Sequence, residues 1–166
     1  LRQIPVEGFD TSKVTDMNRM FYGCASLTAL NVSAFDTSRV TTLRSMFNGC
    51  AALPELDVSG FQTGNVTDMA YLFSDCAALK TLDVSGFQTA FTRDMSRMFY
   101  GCAALEEIDA GEFDTSQVTT LRSMFYGCEK LVNLELRNFD TSKVTDMAYL
   151  FYHCAKLPSV DVGGFH

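Results

Sequence analysis

The chain has 166 residues, 47% hydrophobic and 20% charged, a composition that fits one or two folded domains and excludes intrinsic disorder. A net charge of -7 and a pI near 4.7 exclude a nucleic-acid binder, whose affinity comes from cationic contacts with phosphate, and favour cationic partners or calcium. No apolar run reaches the roughly 18 residues of a membrane span, so no membrane insertion is expected within these residues, and the sequence opens without the charged-then-apolar pattern of a leader.

Phenylalanine recurs at 9, 35, 61, 87, 113, 139 and 165, a period of 26 residues kept without insertion or deletion. With each Phe as position 0, Thr fills position 2 in every complete unit, a second Phe position 12, Cys position 15 and Leu position 18. Such a period marks a solenoid, in which each repeat buries its apolar face on its neighbours. Residues 1–166 are therefore expected to form a single repeat array with no linker.

In chain order, residues 1–8 read as the tail of a broken unit that opens at position 18 with Leu1. The unit 9–34 sets the pattern. FDTS forms a turn, and Met17, Met20, Phe21 and Cys24 then fit the i, i+3, i+4, i+7 spacing of one helix face, which predicts a two-turn helix. Thr15 and Asp16 mark its start, as a cap and a carboxylate at the positive end, and Gly23 marks its end by supplying positive φ. Leu27, Leu30 and Val32 follow as a short strand. Units 35–60 and 61–86 repeat this, with Asp75 in place of the closing Gly. In unit 87–112, Phe91-Thr92-Arg93 replaces the usual basic-Val-Thr, which predicts a repacked helix entry. Units 113–138 and 139–164 return to the pattern, the latter with His153 in place of Gly. Strands stack at about 4.8 Å, whereas helix axes need roughly 8–10 Å. The expected fold is an α/β curved leucine-rich-repeat-like solenoid of six turn-helix-strand repeats, strands inside and short helices outside.

The phrase F-D-T-S-x-V-T-D-M-x-x-M-F-x-x-C-x-x-L-x-x-L-D-V-S resembles the bacterial surface protein 26-residue repeat, a BspA-like, leucine-rich-repeat-like group, over essentially the whole chain. The resemblance implies a bacterial cell-surface or secreted protein whose repeats serve attachment or interaction; the partner expected is an unidentified host or neighbouring-cell protein or glycan. It implies no catalytic role and no cofactor.

Positions that recur in every unit read as stacking requirements. Thr at position 2 is expected to satisfy backbone groups in a turn rather than to form an exposed array. Cys24, Cys50, Cys76, Cys102, Cys128 and Cys154 lie on the apolar stripe, as buried thiols do. Bridges between stacked neighbours and a metal site remain as alternatives, although the 26-residue spacing lacks the close pairs of a zinc site. With only His153 and His166 present, nucleophilic catalysis lacks a well-placed base, so no enzyme is expected.

The whole net charge belongs to the strand-and-turn half. Positions 18–25, counted with the partial first unit, hold ten acids and three bases, and the remainder of the chain holds ten of each. Glu55, Asp57, Asp83, Glu107, Asp109, Glu135 and Asp161 are the candidate ligand-binding residues along this strand face. Stacked about 5 Å apart they repel one another, which a basic partner or cations would relieve. A solvated face that keeps the chain soluble, on a structural spacer without a ligand, is the competing reading. Six tyrosines at positions 10 or 13, beside Arg19, Arg44, Arg97 and Arg122, form a second candidate surface or a packing seam between units. No unit looks like a polar cap. The array is therefore expected to be a segment of a longer protein or to stack on something, and its end strands invite end-to-end self-association.

Overall fold

The computed structural model describes residues 2–166; Leu1, assigned to position 18 of the broken unit, lies outside the described residues. Successive units stack in parallel, one period apart. Position 7 makes a continuous bridge ladder from Asp16 through Thr42, Asp68, Asp94 and Thr120 to Asp146.

The helices are not there: among the described residues the regular elements are two three-residue strands, β1 (Glu107–Asp109) and β2 (Asn133–Glu135). The expected α/β architecture with helices outside is thus overturned, and backbone bonding shows why. Between positions 8 and 15 a helix would send each N–H to the residue four back in the same segment. Here the N–H groups of positions 8, 10, 12 and 14 donate to the next coil instead: Met69 to Asp94, Tyr71 to Ser96, Phe73 to Met98 and Asp75 to Tyr100. The same four bonds recur at each of the five junctions between complete coils. Positions 11, 13 and 15 close local turns onto the residue three before, as Met98 does onto Met95. The position 9 N–H is taken by the side chain at position 7, Asp68 accepting from Ala70 and Thr120 from Arg122. In the first five complete coils every N–H in the segment is accounted for without a helix, as burial of a backbone requires.

That alternation needs left-handed backbone twice per coil. Position 14 has it, as expected of Gly23, Gly49, Gly101 and Gly127 and of their substitutes Asp75 and His153. Position 10 has it as well, at Arg19, Ser45, Tyr71, Arg97, Ser123 and Tyr149, with φ between 55° and 61°. An L-residue pays roughly 1–2 kcal/mol there. Replacing buried Ser123 with Gly should therefore leave the protein about 1 kcal/mol more stable than replacing it with Ala. A helix interior demands the opposite sign, so urea midpoints of the two variants decide between the architectures.

The strand side is less continuous. Parallel pairing occurs at Gln3 with Ala29, at Glu55 with Thr81, and between β1 and β2 in the register Glu107 to Asn133 and Asp109 to Glu135. The coils are thus joined in twos on this side. Position 19 supplies the donor that opens each pairing, as Lys80 donates to Pro54 and Val132 to Glu106. Pro54 and Pro158 stand at that position without an N–H and interrupt two of the junctions. Nothing in the sequence explains the gap between Lys80 and Glu106. Because the position 7 wall is a ladder of parallel bridges and not a row of helices, the helix-strand mismatch expected to bend the stack is absent.

The core fills from positions 0, 5, 8, 11, 12, 15, 18, 21 and 23. Its axis is a column of Phe21, Phe47, Phe73, Phe99, Phe125 and Phe151, with ring centroids 5.6–5.9 Å apart and planes within 13°. The fourth coil keeps this register without repacking. Thr92 takes the buried Val seat with its hydroxyl donating to the Val66 carbonyl at 3.0 Å, and Phe91 turns out to solvent.

Candidate functional site

Positions 20 and 22 of successive coils line an open concavity of about 1390 Å³. Glu55, Asp57, Asp83, Glu107, Asp109 and Glu135 all border it, so six of the seven sequence candidates share one face. Asp161, on the last coil, is not among the lining residues. Glu7 joins the lining from the partial unit, and sequence reasoning counted its charge without singling it out. No Lys or Arg lines the concavity.

The acids on this face are of two kinds. The aspartates are built into turns: Asp57, Asp83, Asp109 and Asp161 accept the backbone N–H two residues on, from Ser59, Ser85, Gly111 and Gly163, at 2.9–3.0 Å. Ser59 and Ser85 also donate their hydroxyls at 2.7 Å. These serine bonds hold Asp57 and Asp83 below the usual carboxylate range, so both are charged at neutral pH. The side chains of Glu55 and Glu107 carry no hydrogen bond or ion pair among the described residues. Glu135 lies 3.9 Å from Arg137, whose guanidinium also reaches Asp109 at 3.6 Å and Glu112 at 3.2 Å. Charge on the face is thus partly balanced near Arg137 and unbalanced around Glu55, Asp57 and Asp83. The position 22 aspartates are thereby given a structural role that their spacing alone did not show.

The Tyr and Arg side chains form a seam between coils. Tyr71 lies between the guanidinia of Arg44 and Arg97, at 5.3 and 5.2 Å, and its hydroxyl accepts from Arg97. Arg44 also pairs with Asp68 at 3.1 Å and Asp94 at 3.4 Å, and Arg122 with Asp146 at 3.2 Å. Tyr100, Tyr126 and Tyr152 stack face to face at 4.6 and 5.2 Å. Tyr71, Tyr100 and Tyr126 are partly buried between their neighbours in the array, as the packing reading expects, whereas Tyr22, Tyr149 and Tyr152 remain exposed.

The thiols are free, and Cys50, Cys76, Cys102 and Cys128 are buried. Each from Cys50 onward donates its S–H to a Phe carbonyl 29 residues earlier, at 3.0–3.4 Å. Burial pushes the Cys50 thiol up to about 12 and Cys154 to about 11, so neither is an available thiolate at neutral pH. Among the described residues no three His, Cys, Asp or Glu side chains converge to hold a metal ion. The position 2 threonines are buried rather than exposed, and each hydroxyl bonds the backbone of position 1 in the next coil.

A stack of parallel 26-residue coils with one acidic face defines a solenoid repeat module. The chain belongs to the family described as Mycoplasma protein of unknown function, DUF285, which it matches over residues 2–108 and again over 93–165, in agreement with the BspA-like resemblance of the repeat. Among solved structures it is similar to a leucine-rich repeat protein of T. pallidum, with 21% identity over 95% of this chain and 77% of that one and a TM-score of 0.49. It is also similar to a leucine-rich repeat protein from Bacteroides ovatus, with 20% identity over 95% of this chain and 54% of that one and a TM-score of 0.27. No curated protein matches it.

Proposed function

We propose that this chain is a non-enzymatic interaction module of a bacterial surface or secreted protein, and that it holds a cationic part of a host or neighbouring-cell macromolecule along its acidic face. The observation that carries the reading is a concavity bordered by Glu7, Glu55, Asp57, Asp83, Glu107, Asp109 and Glu135 without a Lys or Arg. Like charges held about 5 Å apart are relieved by a basic partner, which raises both affinity and encounter rate in low salt.

The turn chemistry selects the test. Asn31 already does the work of Asp in its own coil, accepting the Ser33 N–H at 3.0 Å, so an amide keeps the turn and removes the charge. The variant Glu55→Gln, Asp57→Asn, Asp83→Asn, Glu107→Gln should melt as the parent does. It should lose roughly tenfold or more in affinity for a lysine- and arginine-rich peptide, with a matching fall in attachment to host cells. Salt should erase the difference. If the parent and the amide variant bind equally, the acidic-face reading fails and the chain is a structural spacer.

A further inference from the structure

We propose that the turn edge of the central coils is a second binding surface, on which Phe91 and the carboxamides of Gln62, Asn65, Gln88 and Gln117 hold a neutral, extended glycan. Phe91 is 65% exposed, more than any other large hydrophobic side chain among the described residues, and it lies in the interior of the array. Beside it Thr92 is buried, and its hydroxyl is satisfied by the Val66 carbonyl. The five other complete coils place Val in that seat and a polar side chain at position 4. An outward ring next to a buried hydroxyl reverses the order that burial favours, so folding does not account for it. A local rule broken without a gain in packing marks a functional position.

Charge follows the same boundary. Residues 61–67 and 87–92 carry none, whereas the other four complete coils have Asp at position 1, and three of them have Lys or Arg at position 4. In the two central coils position 1 is Gln62 and Gln88, and position 3 is Gly64 and Ala90 in place of Ser. The small residue makes room for an amide: a Cβ at Gly64 would come within 2.6 Å of the Gln88 Oε1. Asn65 and Gln117 hold position 4 on the coils either side of Phe91, and all five side chains are exposed. Gln62 and Gln88 donate their backbone N–H groups to Thr37 and Thr63, and their carboxamides are unpaired among the described residues. Asn65 spends one N–H on the Ser38 carbonyl at 2.8 Å, and Gln117 spends its oxygen on Lys143 at 2.9 Å.

This chemistry selects the ligand. A carboxamide donates and accepts at once, as neighbouring sugar hydroxyls require, and it brings no charge. The ring offers an apolar surface to the C–H face of a sugar. A protein partner would call for further apolar side chains around the anchor, because interface cores are mostly apolar. On this edge of coils 35–138 Phe91 is the one exposed large hydrophobic among the described residues. Coils repeat at about 4.8 Å, a step comparable with one hexose, so successive sugars of an extended chain would meet equivalent carboxamides. None of these residues borders the acidic concavity.

Nuclear magnetic resonance of the isotope-labelled 166-residue chain tests this. The probes are neutral hexasaccharides of glucose, mannose, xylose and N-acetylglucosamine, each added to about 10 mM. At least one should shift the side-chain amides of Gln62 and Gln88 and the Phe91 ring, with a Kd of about 1 mM or below. Phe91→Ser should weaken that binding by about tenfold or more, Phe91→Tyr should keep it, and both should melt as the parent does because the ring is exposed. Raising salt from about 50 to about 500 mM should leave the affinity unchanged, unlike binding on the acidic face. The proposal is overturned if no hexasaccharide moves these signals, if Phe91→Ser binds as the parent does, or if salt erases the binding. A fall in host-cell attachment with Phe91→Ser and no response to any sugar overturns it too, and assigns the ring to a protein partner.

Discussion

Replacing Thr63 with Val is expected to destabilise the protein by about 2–4 kcal/mol, a large effect for a change that keeps the shape of the side chain. The Thr63 hydroxyl is buried, accepts the Gln88 N–H at 2.7 Å and donates to the Gln88 carbonyl at 3.0 Å. One oxygen thus satisfies both backbone groups of a residue in the next coil. Valine fills the seat and leaves both without a partner. Thr63→Ser keeps the hydroxyl and gives up one methyl, at about 0.8 kcal/mol. Thermal melts should therefore rank parent, Ser and Val in that order, each 1 kcal/mol moving Tm by about 2–4 °C for a chain of this length. A Val variant as stable as the Ser variant would show that the clip contributes nothing. The repeat phrase owes its fixed Thr to this bond, which runs between coils and not within a turn.

Stacking was legible in the sequence because it depends on what recurs: a gapless 26-residue spacing of Phe, Thr, Cys and Leu can be satisfied only by equivalent residues meeting their own kind. The local conformation was not legible, since Met17, Met20, Phe21 and Cys24 fit an apolar helix face and also fit the inward positions of a tight coil. What separates the two is where the backbone N–H groups go, and that is a property of the neighbouring coil. A segment of two turns has little helical stability of its own, so bonds offered by adjacent coils win. Gly23 and Gly49 announced positive φ at position 14, but Arg19, Ser45 and Tyr71 gave no such signal at position 10, because those residue types do not favour the left-handed region. The acidic face was visible as a charge imbalance between two halves of the repeat. The division of labour within it was not: Asp57 and Asp83 serve turns while Glu55 and Glu107 stand free, a difference set by one position along the strand.

Replacing Phe99 with Ala should cost about 4–6 kcal/mol, combining the usual loss for a buried aromatic with two stacking contacts. Phe99 is fully buried between Phe73 at 5.8 Å and Phe125 at 5.6 Å. Phe151, at the same repeat position in the last complete coil, is half-buried and stacks on Phe125 alone within the column. Its replacement by Ala should cost no more than about 2 kcal/mol. The contrast follows from one-dimensional stacking, where a defect in the middle uncouples coils on both sides and a defect at the end uncouples one. Against a total stability of about 5–15 kcal/mol, the central variant sits near unfolding at 25 °C, and its urea transition should broaden as the two blocks melt separately. Equal losses at Phe99 and Phe151 would mean that the column does not carry the coupling between coils.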